Sequence, residues 1–155
     1  MVGQRRQVML DCDLTIGQFA NSMQRVYFIC HLGYTPAIHD AAVLADLVET
    51  ESWLYLAQVI VAMYLASEEA DQTFTPAALA ENCYNNLYRG AYGEEPQTPY
   101  HQQSAREQLT WEMIARHAAT LCNADSVDNL QAVELMWGDK LLENAHTRGV
   151  ILEPV

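Results

Sequence analysis

The chain has 155 residues, of which half are hydrophobic, and its 20 acidic residues outnumber its 8 basic ones. This length and hydrophobic content are typical of one globular domain and argue against a disordered chain. A formal net charge of −12 argues against direct binding to nucleic acid or to an anionic membrane, because both need clustered Lys and Arg.

The first helix is predicted to follow a lead-in over residues 1–13. Thr15 has the position of an N-cap, and Gln18 three residues later completes a capping box. Apolar residues then recur every three or four positions up to Cys30, which is the spacing of one buried helix face. Gly33 is the expected stop signal.

A second helix is predicted to begin at Thr35 and Pro36, because a capping residue followed by proline favours helix initiation. It leads into the most apolar segment, residues 53–66, which only Gln58 interrupts. This segment is too short to span a bilayer comfortably, so it is predicted to be a helix buried on all sides. No Gly or Pro separates the two helices, and one long helix is an alternative.

The same start signal recurs at Thr75 and Pro76. The helix that follows is predicted to run to about Arg89, with Gly90 as the cap of its C-terminal end. Residues 90–103 contain further Gly and Pro and are predicted to be the one long loop of the chain.

Two further helices are predicted in the remaining part of the chain. Ser104 and Glu107 form a second capping box, Ser126 is the expected start of the last helix, and Gly149 is its expected end. A short tail follows over residues 149–155. The whole chain is therefore predicted to be a single all-α domain, a compact bundle of five or six helices.

One catalytic motif is present in part. Residues 8–15 resemble the first motif of haloacid-dehalogenase-type phosphatases, in which an apolar strand precedes Asp-x-Asp-x-Thr. The resemblance implies that Asp11 is the nucleophile and Asp13 the acid/base. Such an enzyme also needs a lysine and further carboxylates after later strands, whereas the one lysine here, Lys140, lies in a predicted helix. The chain is therefore predicted not to be an enzyme, with a phosphohydrolase kept as an alternative.

No metal or other cofactor is predicted. Glu143 and His146 form one Glu-x-x-His step, whereas a di-iron bundle needs two such steps and two more glutamates. His117 falls among apolar residues and is predicted to be a half-buried core histidine. The four cysteines are far apart in the sequence and imply no disulfide framework, which fits a reducing, cytoplasmic location. Three cysteines are predicted to be small buried hydrophobic residues: Cys30, Cys83 and Cys122.

A tyrosine-rich patch surrounds the predicted loop. Tyr84, Tyr88 and Tyr92 are four residues apart, and Tyr100 and Trp111 follow. Aromatic residues of this kind are enriched at protein interfaces. They also anchor long loops to the body of a protein, which is the favoured interpretation here.

Part of the chain resembles a helix-loop-helix segment of phage-encoded ryanodine-receptor-type modules. The matching positions are residues 80–86, 93–94, 98–100 and 108–118, the last of which contains Trp111. They fall within residues 80–118, which are about a quarter of the chain. It implies a phage or mobile-element context and no particular activity.

The negative charge is concentrated in residues 26–88, which contain no Lys or Arg and are called the acidic stretch below. Repulsion between like charges costs stability, but an acidic field also steers a protein towards a basic partner. The predicted partner-binding residues are the acids of this stretch with Tyr88 and the nearby Tyr92, namely Asp40, Asp46, Glu49, Glu51, Glu68, Glu69, Asp71, Glu81, Tyr88 and Tyr92.

The leading hypothesis is a non-catalytic acidic protein-binding module. It would be a phage or mobile-element inhibitor of the anti-CRISPR or nucleic-acid-mimic type, docking on a basic nucleic-acid-binding surface of a protein or ribonucleoprotein complex. A small-molecule-binding helical sensor or carrier is the alternative. The acidic stretch could also serve solubility alone.

Overall fold

Helices make up the architecture of the described residues. The computed structural model describes residues 14–32, 50–70, 75–94, 96, 98–123 and 129–152. Their α-helices are α1 (Ile16–Leu32), α2 (Thr50–Ala70), α3 (Pro76–Tyr92), α4 (Ala105–Asn123) and α5 (Leu130–Arg148), with a 3₁₀ helix at Tyr100–Gln102. This confirms the all-α bundle. The predicted lead-in, Gly33 and the start at Thr35 and Pro36 lie outside the described residues.

Local capping explains where two of the helices begin. At the start of α1 the Gln18 N–H donates to Thr15 Oγ1 at 3.1 Å and the Thr15 N–H donates to Gln18 Oε1 at 2.9 Å. At the start of α3 the Ala78 N–H donates to Thr75 Oγ1 at 3.2 Å. Both predicted starts are confirmed, because side-chain oxygens satisfy N–H groups that have no partner within the helix.

The starts of α4 and α5 differ from the prediction in detail. The Glu107 N–H donates to Ser104 Oγ at 3.1 Å, but the Glu107 carboxylate accepts from Trp111 Nε1 at 2.8 Å. The N-cap of α5 is Asn129, which accepts from the Ala132 N–H at 3.1 Å. The prediction that the last helix begins at Ser126 was therefore wrong, since Ser and Asn cap equally well and the sequence offers both.

The end of α3 also differs from the prediction. The helix continues to Tyr92, and Gly93 is the cap, with a φ of 74° and an N–H bonded to Arg89 O at 2.7 Å. Gly90 lies inside α3, where an added Cβ would stand 2.8 Å from Tyr55 Cδ2 of α2. Gly90 therefore permits the close approach of two helices. The cap predicted at Gly149 is confirmed by its φ of 67°.

The core forms around α1, which packs against α2, α4 and α5, while α3 packs against α2 and α4. The indoles of Trp53 and Trp111 stack at 5.9 Å with 14° between their planes, and the Tyr27 ring lies 5.5 Å from Trp111. Residues from α1, α2 and α4 thus share one buried aromatic centre.

The most apolar helix, α2, is not buried on all sides. One side is buried, and its residues are Trp53, Leu56, Ala57, Ile60 and Val61. The other side is exposed, and its residues are Tyr55, Gln58, Ala62 and Ala66. The prediction of complete burial was wrong, because mean hydropathy does not determine how many helices pack around a given one. None of the described helices is long and apolar enough to cross a membrane.

Tyrosine hydroxyls attach the connection between α3 and α4 to the bundle. Tyr84 donates to Thr98 O at 2.8 Å and accepts from Gln103 Nε2 at 2.9 Å. Tyr100 donates to Gln108 O at 3.0 Å and is buried. The anchoring role favoured for the tyrosine-rich patch is confirmed for these two residues.

Candidate functional site

The predicted partner-binding residues are divided between described and undescribed parts of the chain. Four lie outside the described residues: Asp40, Asp46, Glu49 and Asp71. Four lie within described helices: Glu51, Glu68, Glu69 and Tyr92. The side chains of Glu81 and Tyr88 are described, and both are partly exposed on α3.

Glu81 interacts with the connection between α3 and α4. Its Oε1 lies 3.1 Å from His101 Nε2; the His101 side chain is 73% exposed and the Glu81 side chain 44%. Tyr88 stands seven residues further along α3, so the two residues share a side of that helix. The carboxylate of Glu81 therefore has a histidine as its ionic partner, which is charged only when it is protonated.

The acidic residues of α2 stand at its two ends. Glu51 is the second residue of this helix, Thr50–Ala70. Glu68 and Glu69 are in the last turn, which contains no basic residue. A carboxylate at that negative end is unfavourable by roughly 0.3–1 kcal/mol. The acidic pair at the end of α2 thus opposes the stability of its own helix.

Several cations of the described residues have hydrogen-bond or ionic partners, some of them buried and some at the surface. The Arg106 guanidinium donates a hydrogen bond from Nη1 to the backbone carbonyl of Cys30 at 2.9 Å. Three ion pairs join a cation to a carboxylate: Arg25 to Glu134, Arg148 to Glu112 and Lys140 to Glu143. All three carboxylates lie outside the acidic stretch.

A buried hydrogen-bond network joins α1, α4 and α5. Ser22, His117 and Glu134 are fully buried. Ser22 Oγ lies 2.7 Å from His117 Nε2 and donates to Glu134 Oε2 at 2.5 Å. Arg25 donates twice to the Glu134 carboxylate, at 2.8 Å in each case. Trp137 Nε1 donates to His117 Nδ1 at 3.0 Å.

The donors of this network set the tautomer of His117. An indole N–H can only donate, so Nδ1 accepts and the imidazole proton is on Nε2, from which it is donated to Ser22. Ser22 then donates to Glu134. In a Ser-His-acid triad the serine donates to histidine and the histidine to the carboxylate, so the direction is reversed here. The arrangement activates no nucleophile and instead fastens three helices together.

The network controls the protonation of His117. Burial lowers its pKa to about 4, the Glu134 carboxylate opposes this shift, and the Arg25 guanidinium adds to it. A proton on Nδ1 would also face the Trp137 N–H, which is a second donor. His117 was predicted to be half-buried, but it is fully buried and neutral near pH 7.

Sequence reasoning missed this network, although one signal was present. Glu134 precedes Trp137 by three residues and Leu141 by seven, so a carboxylate stands in the apolar row of α5. A charge in such a row needs a buried partner. The partners, however, are 112 residues away for Ser22 and 109 for Arg25, beyond any local pattern.

A shallow pocket of about 220 Å³ lies between the start of α4 and the end of α5. Its lining residues are Ala105, Gln108, Leu109, Glu112, Arg148 and Val150. Ligand pockets usually enclose roughly 300–1,000 Å³ and are mostly apolar. This open and partly charged pocket gives no support to the sensor or carrier hypothesis.

Other predicted chemistry has these outcomes. Cys30 and Cys83 are each 1% exposed, which confirms their place in the core, and Cys122 is half-buried. Glu143 and His146 are exposed on α5. No group of three or more possible ligands for a metal ion occurs within the described residues. Asp11 and Asp13 lie outside them.

No protein-family model, curated protein or solved structure matches the chain. The resemblance of residues 80–118 to ryanodine-receptor-type modules therefore stays a prediction.

Proposed function

We propose that the chain is a non-catalytic protein-binding module that docks on a basic surface of a partner protein or ribonucleoprotein complex through the acidic stretch. The observation that carries the proposal is the unequal use of charge. Arg25, Lys140 and Arg148 pair with carboxylates outside the acidic stretch. Glu81, the acid of the stretch whose side chain is described, has His101 as its ionic partner, which is charged only when it is protonated. The acidic stretch itself contains no Lys or Arg.

The acids at the end of α2 support the same proposal. Glu68 and Glu69 stand at the negative end of the helix dipole without a basic residue in that turn. Charged residues that destabilise the fold are common at binding sites. Such residues are retained because they contribute to binding, although they lower the stability of the folded protein. An acidic field of this kind raises association rates with basic partners and weakens as salt is added.

The proposed partner surface is of the kind that binds nucleic acid, since such surfaces concentrate Lys and Arg. Docking there would inhibit the partner by occupying the surface that the phosphate backbone would otherwise contact. A phage or mobile-element origin, as in anti-CRISPR and nucleic-acid-mimic proteins, is the proposed context.

The test compares two charge variants that differ in where charge is removed. The first combines Glu51→Gln, Glu68→Gln and Glu69→Gln. The second combines Glu94→Gln, Asp139→Asn and Glu143→Gln, which are exposed residues outside the acidic stretch. Each variant changes the net charge equally. Binding is measured by fluorescence anisotropy with a labelled arginine-rich peptide, between about 50 mM and about 200 mM salt.

The first variant is expected to bind the peptide at least about tenfold more weakly than the unmodified protein. The second is expected to change affinity by less than about threefold, because its charges lie away from the proposed surface. Equal weakening by both variants would show that only net charge matters, and the proposed function would then be abandoned.

A further inference from the structure

Helix α2 has an exposed row of residues along most of its length. Tyr55, Gln58, Ala62 and Ala66 are spaced by three or four residues, which places them in one line on the helix surface. The Tyr55 side chain is 38% exposed and lies over Gly90 of α3. This row, called the α2 face below, therefore consists of one aromatic ring, one uncharged polar side chain and two alanines.

The α2 face has no charged residue of its own. The sequence contains no Asp, Glu, Lys or Arg between Glu51 and Glu68. The exposed side of α5 differs, since it carries Asp139 and Glu143. Solvent-facing sides of helices are normally charged or polar. An uncharged exposed face on the most apolar helix therefore has the character of an interface rather than of a solvated surface.

Both ends of the α2 face are acidic. Glu51 stands four residues before Tyr55, and Glu69 stands three residues after Ala66. Successive residues of an α-helix are about 100° apart around its axis. By this spacing, Glu51, Glu69 and the four residues of the α2 face all lie within an arc of about 80° on one side of the helix. Glu51 and Glu69 are 69 − 51 = 18 residues apart in the sequence. A rise of 1.5 Å per residue separates them by about 27 Å along the axis.

We propose that the α2 face binds an amphipathic helix of the partner that has a central apolar row and Lys or Arg at both ends. This inference rests on the proposed function and names the chemistry of the partner. Ala62 and Ala66 allow another helix to approach to the usual distance of about 8–10 Å between axes. The cationic ends of the bound helix meet the acidic ends of α2, and its apolar row covers the uncharged centre.

Charge argues against a second copy of this chain as the occupant. Two antiparallel α2 helices would set Glu51 of one copy beside Glu69 of the other, at both ends of the contact. Two parallel α2 helices would set Glu51 of one copy beside Glu51 of the other, and Glu69 beside Glu69. Like charges meet in either arrangement, which is unfavourable. A basic helix has no such conflict.

The experiment uses two synthetic helical peptides of equal composition and charge. The matched peptide has leucines in a central row and two lysines at each end, about 27 Å apart. The scrambled peptide has its lysines in the centre and its leucines at the ends. Fluorescence anisotropy is expected to show binding of the matched peptide at least about tenfold tighter than binding of the scrambled one.

Two variants locate the site. Ala62→Arg places a long cation in the centre of the α2 face and is expected to weaken binding of the matched peptide at least about tenfold. Ala132→Arg makes the same change at an exposed alanine of α5 and is expected to alter affinity less than about threefold. Circular dichroism and thermal unfolding confirm that both variants fold, which exposed helix positions permit.

Three results would overturn the inference: equal binding of both peptides, equal effects of Ala62→Arg and Ala132→Arg, or self-association of the protein that Ala62→Arg abolishes. If the triple glutamine variant at positions 51, 68 and 69 weakens binding of the arginine-rich peptide while Ala62→Arg has no effect on the matched one, the proposed function stands and the α2 face is wrong. If neither change matters, both proposals fail.

Discussion

Lowering the pH is expected to weaken the bundle through His117. Burial lowers the pKa of this imidazole to about 4 from its ordinary value near 6.5. Between these values the unfolded chain binds a proton that the folded chain does not, so acid favours unfolding. The contribution is fully favourable above pH 6.5 and is lost as the pH falls towards 4.

The size of the effect follows from the width of this window. One pKa unit corresponds to about 1.4 kcal/mol, so at about pH 5 the loss of unfolding free energy from His117 is about 2 kcal/mol. The groups that face the imidazole are Ser22, Trp137, Glu134 and Arg25. Urea unfolding followed by tryptophan fluorescence, at several pH values between about 7.5 and about 4.5, measures the loss.

The control is His117→Gln. A glutamine amide has one oxygen that can accept from Trp137 and one NH₂ that can donate to Ser22, but it does not titrate. Carboxylates elsewhere titrate in both proteins, so their contribution cancels in the difference between the two curves. That difference should shrink by about 2 kcal/mol from pH 7.5 to pH 5, in favour of the variant. A difference that stays constant across this range would refute the reasoning.

Two further predictions concern helix packing and helix charge. Gly90→Ala should lower the unfolding free energy by about 1–3 kcal/mol, because the new methyl group meets Tyr55 Cδ2 at 2.8 Å. Gly17→Ala should cause no loss, since its nearest contact would be 3.9 Å; equal denaturation midpoints for the two variants would contradict the packing argument. Glu68→Gln with Glu69→Gln should raise the unfolding free energy by roughly 0.3–1 kcal/mol for each change. The reason is that both changes remove a negative charge from the negative end of the α2 dipole. Thermal unfolding measures this gain, and a lower midpoint in low salt would count against the assignment.

Local interactions made much of the fold predictable. Thr15 and Thr75 begin helices because their hydroxyls accept from backbone N–H groups three residues later, and both partners are visible in the sequence. Gly149 ends α5 because it adopts a positive φ that other residues avoid. The apolar spacing of each helix is equally local. The all-α class therefore followed from contacts within a few residues.

The acidic stretch was also a sequence property, since it depends only on which residues carry charge. The position of these residues relative to the packed helices could not be read from the sequence. That Tyr55, Ala62 and Ala66 are exposed depends on which helices pack against α2 and from which side. The role of Gly90 also depends on packing between helices. Only the position of the Tyr55 ring shows that Gly90 allows α2 and α3 to approach closely and does not cap a helix.

The buried network depends most strongly on tertiary structure. Glu134 and His117 can each be recognised as polar residues in apolar rows, but their connection through Ser22 spans 112 and 95 residues of chain. The sequence by itself determined helices, caps and the distribution of charge, because these arise from neighbours along the chain. Only the packed structure decided which buried polar groups satisfy one another and which side of α2 faces solvent, because both depend on how the helices meet in space.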